Sequence, residues 1–349
     1  VTPAVSTRAR RGQAGLTLVE LMISMVILGI VIAAAFQVAF TMMNGYRDHR
    51  RSIAVERSAR GAMVFLVDAI RNISPGVEKA NITDVVGCST LKALEVVNAS
   101  DGPDRLKMVY ATGGVVTSLR AEITQDSDEL VVLDGSAFKA GDHVLVIDTM
   151  VADSVDLAKG HIFQISDAPV EGGGVWTLPL GESATDRCGG TVPAFTYAEQ
   201  QLVLRAQLAE FYLSEDPDVP TLMMDADGDG DGAGEPVAEG IEDMQIAVGI
   251  DKDGDGTIEG AELGDVADDN EWVYDIEGDS PLNAADITTT PYRALRITLT
   301  ARSLDETTQV ALSTRPAAED HPVGDANDVY KRRSLSTTVE IRNFLGSQQ

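Results

Sequence analysis

The sequence is short of cysteine, histidine, aromatic residues and positive charge, and each shortage removes a class of protein. Only Cys88 and Cys188 occur in 349 residues, with no Cys-x-x-Cys pair. Neither a disulfide-dense small scaffold nor a thiolate zinc knuckle can be built from them. The four His (His49, His143, His161, His321) are scattered, and Gly-x-Ser-x-Gly, His-Glu-x-x-His and Walker loops are missing. With no catalytic constellation, the chain is expected not to be an enzyme. Lys and Arg total 27 against 55 Asp and Glu, a net charge of −28, which argues against nucleic acid as a partner because phosphate would be repelled. The same balance argues against docking on an anionic membrane through a basic patch. At 44% hydrophobic and 23% charged, the chain has ample material for a core and is not disordered throughout.

What is present begins with a basic leader. The first 15 residues carry Arg8, Arg10 and Arg11 and no acid, and from Leu21 to Phe40 no charge interrupts 20 residues. As a helix at about 1.5 Å per residue, that run crosses about 30 Å of hydrocarbon. The basic flank implies a cytoplasmic N-terminus and a translocated body. Glu20 stands where the run begins. A lone carboxylate at membrane depth costs on the order of 2.5–3.5 kcal/mol, so it either sits at the solvated edge or waits for a cation.

Gly15-Leu16-Thr17-Leu18-Val19-Glu20, between the basic leader and the apolar run, resembles the class III signal of type IV prepilins and pseudopilins. The resemblance implies cleavage by prepilin peptidase between Gly15 and Leu16, then methylation of the new N-terminus. Leu16 stands where most family members have Phe or Met. Glu20 would pair with the α-amino group of a neighbouring subunit. Loss of three leader Arg from a net −28 would leave a mature chain at −31.

After Asn44-Gly45 the pattern stays helical but becomes amphipathic. Ile53, Met63, Leu66, Ile70 and Ile73 recur at helical spacing among Arg50, Arg51, Glu56, Arg57 and Arg60, and Ser74-Pro75-Gly76 supplies a stop. A helix over about 17–72, or two helices hinged at Gly45, satisfies this pattern. From Lys79 onward, short alternating runs between Gly, Asp and Asn predict strands: 94–98, 105–111, 129–133, 143–148, 161–166, 175–180, 201–213, 242–250, 293–302 and 334–342. In the run from Arg293 to Thr300, Leu295, Ile297 and Leu299 share one face. The expected fold is α+β and pilin-like: a long N-terminal transmembrane and assembly helix on an antiparallel β-rich head with calcium loops. The expected division is a leader (1–15), a transmembrane helix (16–40), its amphipathic second half (41–76) and an extracytoplasmic head (77–349), with an inserted β-subdomain over 115–190 as a candidate. In an oxidising compartment Cys88 and Cys188 would most simply pair, the alternative being two buried thiols.

The acids cluster. Asp251, Asp253, Asp255, Gly256, Thr257, Glu259 and Glu262 fill the defining places of the twelve-position calcium loop D-x-D-x-D-G-x-x-x-x-x-E. Three carboxylates meet at one centre, Gly256 permits the sharp turn, Thr257 offers its carbonyl, and Glu262 closes the shell. Ca2+ is the expected cofactor, in a structural role, because the preceding segment reads as strand rather than helix. Asp225, Asp227, Asp229 and Asp231 repeat the front half, but position 12 falls on Pro236 or Ala238, so this is a second candidate without a closing acid.

The stretches from Gly240 to Gly256, Tyr292 to Arg302 and Tyr330 to Asn343 resemble the head of PilW-like minor pilins. That resemblance implies a structural protein that helps initiate a type IV pilus and sits at or near its tip. Its implied partners are other minor and major pilins through the N-terminal helix, prepilin peptidase and a tip adhesin. Its location would be the inner membrane with a periplasmic head, then the pilus at the cell surface, where pili serve adhesion and twitching motility. J-type pseudopilins of type II secretion are similar in the head, and a membrane-anchored calcium-dependent adhesin is a third reading.

Overall fold

The computed structural model describes residues 17–73, 81–99, 101–148, 160–226, 234–251, 255–260, 270–275, 292–306, 312–325 and 327–341. The chain divides into two units, Val1–Arg51 and Ser52–Gln349. One helix, α1 (Leu18–Arg71), belongs to both and continues through Gly45 without a hinge. Thr17 starts it: its hydroxyl accepts from the Glu20 amide at 3.2 Å, and its carbonyl accepts from the Leu21 amide at 3.1 Å. With Glu20 three places on, this is half of a capping box. At the other end the Asn72 side chain donates to the Asp68 carbonyl at 2.9 Å, closing the last turn.

In the first unit, the apolar residues from Leu18 to Met43 stand exposed. A helix that is hydrophobic all round is the form a lipid phase stabilises. Two of its hydroxyls are satisfied within the helix: Ser24 donates to the Glu20 carbonyl at 2.7 Å and Thr41 to the Gln37 carbonyl at 2.9 Å.

In the second unit, α1 buries Val55, Ala59, Ala62, Met63, Leu66, Ala69 and Ile70. Ile53 does not join them; it is 52% exposed. Ten residues before Met63, it falls about 80° off the stripe, and Val55 and Ala59 hold those places instead.

The head begins with β1 (Asn81–Asp84), β2 (Ser89–Lys92), β3 (Leu94–Val97), β4 (Arg105–Ser118), β5 (Ile123–Thr124) and β6 (Glu129–Val132). It continues with β7 (His143–Ile147), β8 (Gly160–Gln164), β9 (Val170–Gly172), β10 (Val175–Pro179), α2 (Ala184–Cys188) and β11 (Thr196–Tyr197). It ends with β12 (Leu202–Leu213), β13 (Thr221–Asp225), β14 (Glu235–Glu239), β15 (Ile241–Ile250), β16 (Trp272–Val273), β17 (Tyr292–Arg302) and β18 (Arg332–Glu340). The ten expected strands are present, and β4 runs seven residues further than expected, through Gly113 and Gly114 at positive φ. The strands that sequence reading missed are short or lie beside Gly-rich turns.

β12 organises the nine-stranded sheet. One edge pairs with β4 along most of its length, and the other pairs with β7 in its first half and β13 in its second. β1 and β8 run parallel; the remaining pairs are antiparallel. The second sheet has the order β16-β15-β17-β18. Its Leu295, Ile297, Leu299 and Val339 join the helix stripe in one core with Leu106, Leu145 and Phe211. A second cluster, including Leu119, Leu130, Leu178, Phe195 and Tyr197, lies on the other side of β7 and β8 under the small sheets β6-β10-β9 and β5-β11.

The alternation in β17 puts Leu295, Ile297 and Leu299 on one buried face, yet Ala294, Thr298 and Thr300 are buried too. The segment 312–325 accounts for this. Glu319 accepts from Thr298 Oγ1 at 2.7 Å and from Arg296 at 2.6 Å, so the face expected to be solvated is covered by a polar segment.

Candidate functional site

The N-terminal motif is described from Thr17 onward; Gly15 and Leu16 lie outside the described residues. Glu20 is exposed in the first turn of α1. A carboxylate there interacts favourably with the positive end of the helix dipole. The Thr17 hydroxyl accepts from the amide of Glu20, and the Glu20 carboxylate has no ion-pair partner among the described residues.

The acidic run 251–262 begins where β15 ends, so a strand rather than a helix precedes it, and β15 pairs antiparallel with β16 further along the chain. Its described part is ordered by local bonds. Gly256 sits at φ +90°, a conformation that side chains strain to adopt. Asp255 Oδ1 accepts from the Thr257 amide and hydroxyl, both at 2.7 Å, and Glu259 Oε1 lies 2.5 Å from the same hydroxyl. The Thr257 bonds hold the Asp255 carboxyl below its usual range. One hydroxyl has one proton, so two carboxylates converge on a donor that can serve only one of them. Ile258 turns the other way, against Gly249 and Trp272, and anchors the loop to the sheet. Asp251 is buried and pairs with Arg293 at 3.5 Å. Asp253 and Glu262 lie outside the described residues. Among the described residues, no three of His, Cys, Asp and Glu come close enough together to hold a metal.

The second acidic run follows β13. Asp225 ends that strand, buried, directly opposite Glu210 of β12. Glu210 in turn faces Arg105 at 3.2 Å and Lys107 at 3.3 Å from β4. Asp227, Asp229 and Asp231 lie outside the described residues.

Cys88 and Cys188 form a disulfide across a sequence separation of 100 residues. It ties the β1–β2 turn to the end of α2. The Asp84 carboxylate shapes that turn by accepting from the Val86 and Gly87 amides at 2.9 and 3.0 Å. α2 is capped by Ser183 at its start and by Gly189 in the left-handed region at its end.

Sequence reading missed a polar hub between β15 and the segment 312–332. Asp243, almost fully buried, accepts from Arg315 at 2.9 Å, from His321 Nδ1 at 3.0 Å and from Gln245 at 2.9 Å. Arg332, on β18, forks onto Glu242 (2.6 and 2.8 Å) and onto Asp328 (2.6 and 2.5 Å). Asp104, fully buried, accepts from the Ala99 amide at 2.8 Å and the Ile246 amide at 2.7 Å. Burial dominates those two bonds, and with the nearby Asp320 and Asp243 charges it pushes the Asp104 carboxyl up to about 7. No local motif announces this hub. The tight run from Glu319 to Pro322, with Glu319 at positive φ, is the nearest thing to a signal.

Comparison with known proteins adds two family matches. Residues 210–343 match the family described as Type IV Pilus-assembly protein W, and residues 10–36 match the prokaryotic N-terminal methylation motif. The first spans both acidic loops, the second sheet and all of the polar hub but Asp104; the second spans Gly15, Leu16 and Glu20. A type IV-like pilin from Thermus thermophilus aligns at a TM-score of 0.30 and 12% identity, covering 81% of this chain and 95% of that one. No curated protein matches. A methylation motif thus stands ahead of an exposed apolar helix, and the match to the PilW family covers residues 210–343 of the β-rich head behind it.

Proposed function

We propose that this chain is a PilW-like minor pilin that helps initiate type IV pilus assembly and sits at or near the tip, after prepilin peptidase cuts between Gly15 and Leu16 and the new amine is methylated. The observation that carries the reading is the exposed Glu20 carboxylate in the first turn of an exposed apolar helix. In a bundle of such helices, an exposed carboxylate at that depth can neutralise a neighbour's N-terminal amine. The wholly apolar surface of the helix serves twice, first in the inner membrane with the head in the periplasm and then in the filament core. The role is structural rather than enzymatic.

In the same reading Ca2+ binds the loop 251–262. Asp255, Thr257 and Glu259 fit such a site, because the two carboxylates converge on the one Thr257 hydroxyl. Asp251 would have to exchange Arg293 for the ion, with Asp253 and Glu262 completing the shell. Bound there, the ion would pin the connection between β15 and β16 to the sheet, stiffening the surface that meets other tip subunits. The experiment is mass spectrometry of the mature N-terminus from sheared pili. Methylated Leu16 is expected; a chain that begins at Val1, or is absent from pili, refutes the reading.

A further inference from the structure

Edge strands invite pairing, and natural sheets blunt them with Pro, bulges, shortness or a cover. The described edges of this head follow that rule, with one exception. At the edge of the nine-stranded sheet, β14 carries Pro236, has a register shift opposite Leu222 and Met223, and has its Glu239 carbonyl bonded by the Ser58 hydroxyl of α1. At the far edge of that sheet β2 has four residues, and β16 at the edge of the second sheet has two. β18 is different: nine residues, no Pro, and unbroken register against β17 from Arg332 to Glu340.

The register also says which of its peptide groups face outward. The Ile341 amide donates to the Arg293 carbonyl, and the Ser303 amide to the Lys331 carbonyl. Odd-numbered residues therefore bond to β17, and the N–H and C=O of Ser334, Ser336 and Thr338 point away from it. Beside that edge lies a groove of about 300 Å³ between α1 and β18, lined by Glu56, Ala59, Arg60, Arg333, Ser334 and Leu335. Arg60 is paired with Glu56 at 2.7 Å. Arg333 is exposed and has no ion-pair partner among the described residues. In a chain of net charge −28, a long edge with an exposed Arg333 near its start marks a place that acid can approach.

We propose that β18 is an acceptor edge: a neighbouring pilus subunit adds an extended, acid-bearing segment to it, bonding to the outward peptide groups and setting a carboxylate on Arg333. Main-chain bonds supply the affinity and the arginine supplies the register, the mode known generally as strand addition. The inference rests on the minor-pilin reading and names the surface through which the head joins its neighbours.

The test uses the full chain in cells that assemble pili. Thr338→Pro removes an outward N–H and leaves the β17 ladder intact. It should leave head melting within about 2 °C of wild type, since one surface change seldom exceeds 0.5 kcal/mol, yet lower recovery in sheared pili at least tenfold. Arg333→Glu, which leaves the backbone alone, should lower it as well. A photo-crosslinker at Thr338 should give an adduct in pili that mass spectrometry maps to an acid-bearing extended segment of another subunit. Wild-type recovery of both variants, or adducts only to lipid or to the chain's own α1, overturns the proposal. If the wild type itself is missing from pili, the minor-pilin reading fails instead, so the two failures are distinguishable.

Discussion

Arg332 is the side chain whose removal should cost the head most for the least change in volume. It is 6% exposed and holds two carboxylates at once, Glu242 of β15 and Asp328 of the segment before β18, with the Ser313 carbonyl a further acceptor at 3.1 Å. Arg332→Met keeps the packing of the stem but strands both acids. Breaking a buried pair by removing one partner costs about 3–5 kcal/mol. Glu242 and Asp328 keep 19% and 25% of their side-chain surface, so water relieves part of that and about 3 kcal/mol is expected. For a unit of this size, that lowers Tm by about 6–12 °C. Arg332→Lys keeps the charge but can serve only one fork, and should lose about 2 kcal/mol. The pH dependence carries a sign. Arg332 holds the Asp328 carboxyl below its usual value, so the pair contributes stability above pH 4 that is lost as pH falls through the depressed pKa. The gap between wild type and Arg332→Met should therefore narrow below pH 4. Urea unfolding of the full chain in detergent, followed by the fluorescence of Trp176 and Trp272 at pH 7 and pH 3, measures both quantities. A Met variant within about 1 kcal/mol of wild type at pH 7, or a gap that widens in acid, would refute the reasoning.

Asp104 should push in the opposite direction: its carboxyl is raised to about 7, so stability is full below about pH 4, falls as pH rises toward 7 and levels above it. Asp104→Asn should remove that slope from a pH series of melting curves, and an unchanged slope would assign it elsewhere. Cutting the Cys88–Cys188 bridge, which spans 100 residues, should cost about 4–5 kcal/mol in the chain-entropy account. Reduction and the double Cys→Ser variant should agree within error in denaturant titrations; a loss under about 1 kcal/mol would show that the unfolded chain is little constrained by it. Adding Ca2+ at a hundred times its Kd should stabilise the head by about 2.7 kcal/mol. Asp251→Ala with Asp253→Ala should abolish that gain, and a wild-type melting curve indifferent to chelation would remove the ion from the loop. Glu20→Ala should insert in the membrane as wild type does and fail to enter pili; normal recovery in sheared filaments would end the pairing role.

What could be read in the sequence was local, and what escaped it was not. The methylation signal fits within six residues, the apolar span needs only composition, and a twelve-position acid spacing announces a turn that could fold around an ion. Each can be recognised without knowing what the rest of the chain does. The four-residue β1 and β2 escaped because Asn81–Asp84 and Ser89–Lys92 mix polar residues into runs too short for alternation to show, whereas the equally short β3 and β6 carry apolar runs. Ile53 was misplaced for a related reason: over ten residues a helix accumulates enough angle that an apolar residue can leave the stripe, and small Ala59 and Ala62, which look neutral in sequence, are what let the sheet approach. The polar hub joins residues 70 to 90 apart, with Arg332 on Glu242 and His321 on Asp243, and no periodicity links them. Its existence explains why β17 is buried on a face that its alternation marks as wet. Thr298 and Thr300 are hydroxyl-bearing because that face is covered by polar partners rather than by water or a greasy layer. The same covering leaves β18 as the place where the second sheet stops with its peptide groups still turned outward, so the long-range packing that sequence could not show also decides where a neighbour can attach.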